Sequence, residues 1–244
     1  MSTEVTNPVD AFIAEAGKAG ASVFQAPKAE DAVVYLIKLV QEHNVKTAVK
    51  SKSEIADVAK LRERLEKEGI GVVETDLRDW LSQLSGGKSA DKWTIGQVQE
   101  LISQATGQKP DKEPRALLDA ANLFVRQKCL DADLGISEAS LAIAETGSLV
   151  VAGDEGVSRL VAVLPRIHVT LLDSQNIVPS MEDVFTKIKK GSPGRISQVM
   201  PVYVTYITGR NTTADIPGAV LARAQGPAEE YIIVIHNCAG GTGA

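Results

Sequence analysis

Glu145, Thr146 and Gly147 put a carboxylate, a hydroxyl and a residue free to take positive φ into one turn. The turn separates two apolar runs, Leu141–Ala144 and Leu149–Ala152. A carboxylate beside buried strands has its proton affinity raised and can serve as acid, base or nucleophile. The hydroxyl and the backbone N–H groups could hold an anion. An ordinary role stands equally open, with Glu145 bracing its own turn and Gly147 making a tight reversal.

Other residues could do chemistry elsewhere. Arg210, Thr213 and Asp215 cluster in a polar turn between strands, where a guanidinium could bind a carboxylate or phosphate. Asp and Thr are also common turn formers, so a structural role is the stronger reading there. Lys50 and Lys52 follow a strand and precede a helix, a place that favours anions, although Ser53 already reads as that helix's N-cap. His168 enters a strand in Pro165-Arg-Ile-His-Val-Thr-Leu-Leu172, and a lone histidine among apolar residues is more often structural than catalytic.

Several classes are excluded or disfavoured. Gly86-Gly87-Lys88-Ser89 lacks the earlier glycine of a phosphate loop, because position 82 is Ser. There is no G-x-S-x-G elbow, and three scattered histidines make a poor zinc set. Two distant cysteines, Cys129 and Cys238, cannot by themselves hold an iron–sulfur cluster. The net charge of -5 attracts neither nucleic acid nor an anionic membrane. No 18-residue apolar span and no basic leader occur, so the expected setting is cytoplasmic.

The elements that must position these groups alternate. Asn7-Pro8 opens a helix, Ala21–Gln25 is a short strand, and Val33, Leu36, Ile37 and Val40 recur at helical spacing. A strand at Thr47–Val49, one helix that starts at Ser53 and is closed by Gly69, and a strand at Ile70–Glu74 follow. Thr94 with Gln97 forms a capping box. The C-terminal half is richer in strands and closes on Tyr231–His236. This pattern predicts an α/β fold with a mostly parallel sheet covered by helices. The expected division is a helical N-terminal portion over residues 1–44, a main domain over 45–238 and a Gly-rich tail over 239–244.

The run Asp133-Leu-Gly-Ile-Ser137 followed by Ala142-Ile-Ala-Glu-Thr-Gly-Ser-Leu-Val150 resembles the central motif of the LUD (lactate utilisation, DUF162) family. Val49-Lys-Ser-Lys-Ser53, Val73-Glu-Thr-Asp-Leu77, Leu164-Pro-Arg-Ile-His168, Ile177-Val-Pro-Ser-Met-Glu-Asp183 and Thr213-Ala-Asp-Ile216 match in order. The resemblance places the chain nearer LutC-like stand-alone members, although Val49–Ser53 and Val73–Leu77 look LutB-like. The resemblance implies a NagB/RpiA/CoA-transferase-like fold. It implies a role in oxidising L-lactate to pyruvate, as a non-iron-sulfur subunit or accessory, with iron–sulfur clusters on partner proteins and no cofactor on this chain. A small carboxylate or nucleotide-like ligand would then meet Glu145, Thr146, Gly147, His168, Arg210, Thr213, Asp215, Lys50 and Lys52, and a homo-oligomer is compatible with this. Two further readings stay open. One is a free-standing CoA-transferase-like or sugar-phosphate-isomerase-like enzyme with Glu145 as its catalytic carboxylate, and the other is a non-catalytic ligand-binding or scaffold protein.

Overall fold

A computed structural model describes residues 7–88, 93–153, 157–190, 203–210, 212–216, 219–222 and 226–238. The expected Gly-rich tail over 239–244 lies outside the described residues. In chain order the elements begin with α1 (Pro8–Lys18), β1 (Ser22–Ala26), α2 (Ala29–Glu42), β2 (Thr47–Lys50), α3 (Glu54–Val58) and α4 (Leu61–Lys67). Next come β3 (Gly71–Glu74), α5 (Leu77–Leu84), α6 (Ile95–Thr106), α7 (Pro114–Asp131), β4 (Leu134–Glu138), β5 (Leu141–Ile143) and β6 (Ser148–Gly153). The chain continues through α8 (Val157–Val163), β7 (Ile167–Asp173), β8 (Ile177–Val178), α9 (Met181–Lys190), β9 (Tyr203–Ile207), β10 (Thr212–Ile216), β11 (Ala219–Ala222) and β12 (Glu229–Ile235).

Six strands form one sheet in the order β1-β12-β7-β4-β2-β3, and every neighbouring pair is parallel. The fold is therefore α/β, as the strand–helix alternation predicts. Parallel strands need crossovers, and burial on both faces explains why β7 and β12 read as nearly continuous apolar runs. One face packs Ile136, Val169 and Ile233 against Leu36 and Val40 of α2 and Leu61 and Leu65 of α4. The other face packs against α1, the second sheet, α7 and α8. That second sheet has the order β8-β5-β6-β9, and α9 covers its outer side through Val184. Trp80, Ile102, Leu117 and Ala121 join α5, α6 and α7 in a separate helical cluster.

Two details depart from expectation. The N-terminal portion is more than helical, because β1 is the edge strand of the six-stranded sheet and pairs with β12 from Ser22↔Tyr231 to Ala26↔Ile235. The single helix expected between Ser53 and Gly69 is two helices. Lys60 takes a left-handed backbone, φ 49° and ψ 43°, between α3 and α4. Neither glycine nor proline marks this break, so periodicity alone runs through it. The other local signals are present as read. Asn7 caps α1, Ser53 Oγ accepts from Ala56 N–H, and Thr94 and Gln97 form the reciprocal capping box.

Candidate functional site

The turn between β5 and β6 forms as a hairpin reversal, with Gly147 at φ 64°. Glu145 is exposed there, and its Oε1 accepts a hydrogen bond from Met181 N–H at 2.9 Å. Glu145 thus caps the N-terminus of α9, where a carboxylate also meets the positive end of the helix dipole. Thr146 donates to Ser148 Oγ at 2.8 Å, and Ser148 Oγ lies 2.7 Å from Thr208 Oγ1, which joins this turn to the residues after β9.

Those two turns grip α1. A Cβ added at Gly147 would lie 2.2 Å from Ala16 N, and one added at Gly209 (φ 63°) would lie 2.0 Å from Ala19 O. Only glycine permits both the backbone conformation and the approach. Arg210 is exposed and lies against Gly20, where an added Cβ would come within 3.3 Å of its side chain. Thr146, Gly147 and Arg210 are therefore brought together around the C-terminal half of α1. Thr213 and Asp215 lie on β10, which pairs with β11; their side chains fall outside the described residues.

His168 is placed elsewhere, fully buried in the six-stranded sheet. Its Nδ1 lies 2.9 Å from both carboxylate oxygens of Glu230, and its Nε2 lies 2.8 Å from Ser137 Oγ. Register explains this array, since Gly135 and Glu230 flank His168 on the adjoining strands. Each polar group finds a partner inside the core, as burial demands. His43 and His236, which show no partners in the sequence, bond Tyr231 and Gln25.

The C-terminal ends of the parallel strands hold a different set. From β2 the chain moves to β3 on one side, while from β4 it moves to β7 on the other, so the gap between β2 and β4 is a switch point of the sheet. Such crevices are where open α/β sheets bind ligands. Here Glu138, at the end of β4, accepts from Ser53 Oγ at 2.7 Å and Ile55 N–H at 3.2 Å. Ser51 N–H donates to Ile136 O at 2.9 Å. Glu138 was missed in the sequence; its signal is a carboxylate directly after the apolar run of β4.

Lys50, at the end of β2, is 1 % exposed, whereas Lys52 is exposed. The Lys50 ammonium lies 2.9 Å from Glu74 Oε2 and 3.0 Å from Asp57 Oδ1. Burial works against this ammonium, but the Glu74 and Asp57 carboxylates outweigh it and raise its pKa above that of an ordinary lysine. Burial pushes the Glu74 carboxyl up, and the nearby Lys50 offsets only part of that. Burial, then the charges of Asp76 and Asp57, also raise Asp79.

Beside this pair opens a cavity of about 200 Å3, lined by Ala56, Asp57, Arg62, Glu63, Glu74, Asp79 and Ser82. Arg62 Nε approaches Glu74 Oε1 at 3.4 Å. The left-handed Lys60 lets α3 and α4 turn about the cavity, so that Asp57 and Arg62 both face it. Gln83 of α5 fastens the rim to the exposed edge of β3. It accepts from Glu74 N–H and donates to Val72 O, standing in for a further strand. Of the residues expected to bind a ligand, Lys50 stands beside this cavity, and the charge of Lys52 acts on Asp79 in its lining. Among the described residues, no group of three or more His, Cys, Asp or Glu side chains could hold a metal ion.

Comparison with known proteins adds identity to this geometry. The LUD domain sequence profile matches residues 9–235. The Lactate utilization protein B of Bacillus licheniformis is 30% identical over 227 residues, covering 90% of this chain and 46% of that protein. Its counterpart in Bacillus subtilis (strain 168) shows the same identity and coverage. The chain thus spans about half the length of the curated relatives it matches. A crystal structure of a DUF162 family protein from Deinococcus radiodurans aligns over 93% of this chain and 96% of that one, with a TM-score of 0.45 and 12% identity. With the profile covering nearly the whole described fold, the chain belongs to the LUD domain family.

Proposed function

We propose that this protein serves L-lactate utilisation, supporting the oxidation of lactate to pyruvate as a component that carries no iron–sulfur cluster. The carrying observation is the LUD domain match over residues 9–235, together with relatives named Lactate utilization protein B. Clusters on partner proteins would pass the electrons, and the two cysteines of this chain support that division of labour. Both are free, and they pack in different apolar clusters, Cys129 with Val49 and Val161 and Cys238 against the α2 side of the sheet, so the two do not converge on one metal. No described helix is long and apolar enough to cross a membrane.

In this reading a small ligand enters at the C-terminal ends of β2 and β3, where Lys50, Arg62, Glu74 and Asp79 converge. Deletion of the gene should abolish growth on L-lactate as sole carbon source and leave growth on pyruvate intact. A tagged copy should retain iron–sulfur proteins on purification from lactate-grown cells. Normal growth on lactate together with no iron–sulfur protein retained would sink the proposal.

A further inference from the structure

Three neighbouring strands of the six-stranded sheet each send one polar side chain to the same buried spot: Ser137 from β4, His168 from β7 and Glu230 from β12. Ser137 and His168 are 0 % exposed and Glu230 is 2 % exposed. The imidazole is the middle member, with Nδ1 2.9 Å from both Glu230 oxygens and Nε2 2.8 Å from Ser137 Oγ and 3.5 Å from Thr170 Oγ1. Gly135, directly opposite His168 on β4, leaves the ring room, and Ser137 further along the same strand reaches its far nitrogen. Around them the face is apolar, since Leu172, Ile232 and Val234 share it by strand alternation.

Apolar packing does not by itself choose the alignment of these strands. Tyr231-Ile-Ile-Val-Ile235 of β12 is apolar on both faces, and β7 interrupts its apolar run after His168 only at Thr170. Where one face meets water, a one-residue slip turns the apolar set outward and is forbidden. Here both faces are covered, so a slip exchanges one apolar side chain for another. Moving β12 by two residues would set Ile233 opposite Val169 and Ile235 opposite Leu171, pairs as apolar as the native ones. His168 would then face Ile232 instead of Glu230. An imidazole parted from its buried carboxylate is far more costly than a changed apolar contact.

We propose that Ser137, His168 and Glu230 form a register key, a polar contact across three strands that selects one alignment of β4, β7 and β12 among several of similar apolar packing. The key also sets where the strands end at the switch point. Glu138 directly follows Ser137, and its bonds to Ser53 Oγ and Ile55 N–H tie β4 to the start of α3. A slip of one residue moves a strand end by roughly 3 Å, which those hydrogen bonds cannot span. The three are positioning residues and touch no ligand, so the inference is independent of the lactate role.

Methyl NMR of the purified chain tests it, with the register partners Leu171 and Ile233 on the opposite face of the sheet as reporters. The wild type should give one set of reporter peaks. The triple variant Ser137→Ala/His168→Leu/Glu230→Leu should keep its circular dichroism spectrum, because apolar replacement of a complete buried polar group is tolerated. It should nevertheless show two or more sets of peaks, with amide exchange in β7 about 10-fold faster. His168→Glu, which sets two carboxylates side by side, should lose the single set. The exchanged pair His168→Glu/Glu230→His should restore it, since the same two groups again face each other. One set of peaks with native exchange in the triple variant would overturn the key. Loss of the circular dichroism spectrum in that variant would do the same, by making the network a source of stability instead of register. Failure of the exchanged pair to recover what His168→Glu loses would also overturn it.

Discussion

The turns around α1 and the cavity beyond β2 and β3 use polar residues in opposite ways. Around α1, hydroxyls and glycines from two turns are spent on packing. Thr146, Ser148 and Thr208 bond one another, and Gly147 and Gly209 let backbone meet backbone. At the cavity, Asp79 Oδ2 has no hydrogen bond, and a buried lysine paired with Glu74 is held next to open space. The first region satisfies its polar groups internally and the second leaves some over. A conspicuous motif in a chain is thus as readily a packing device as a site, and leftover hydrogen-bonding capacity separates the two.

The sharpest way to break the comparison is at the buried ion pair. Glu74→Ala should cost about 3 kcal/mol, because it leaves the buried Lys50 ammonium with only the exposed Asp57 carboxylate as its partner. Denaturant unfolding of Glu74→Ala beside the double variant Glu74→Ala/Lys50→Met measures this, and the double variant should recover most of the loss. A single-variant cost under about 1 kcal/mol would show that solvent reaches Lys50 freely.

At the α1 clamp, Gly147→Ala should cost about 2 kcal/mol through left-handed strain and collision with Ala16. The loss should appear in thermal melts and as faster amide exchange within α1, with exchange in β2 and β3 unchanged. Faster exchange in β2 and β3 as well would show that the two regions are coupled.

The smallest effect belongs to Glu145→Gln. Gln keeps an oxygen for Met181 N–H and loses only the charge at the start of α9, which is worth about 0.5 kcal/mol. If Glu145 is instead a catalytic carboxylate, acyl-CoA and hydroxylamine should give an adduct with the wild type that disappears in Glu145→Gln. No adduct with either protein leaves Glu145 as a cap.

Much of the fold was legible because its signals are local. Asn7, Ser53 and Thr94 cap helices through neighbours two or three residues away, and the apolar runs of β7 and β12 announce buried parallel strands. The break at Lys60 was not legible, since a lysine in the left-handed region leaves no compositional trace. The buried His168 was expected in a strand; its partners Ser137 and Glu230 lie 31 and 62 residues away, and only sheet register brings them together.

By itself, the amino-acid sequence determined the α/β alternation, the caps, the Gly147 reversal and the LUD family, because each depends on residue type and near neighbours. The tertiary structure decided which polar residues form a site. It sent Glu145 to the end of α9, Gly147 and Arg210 to the flank of α1 and His168 into the core. It gathered Lys50, Asp57, Arg62, Glu74 and Asp79 from β2, β3 and three helices around one cavity. The reason is physical: a binding site is defined by unmet charge and hydrogen bonds in a shared space, and that balance exists only after the strands have paired.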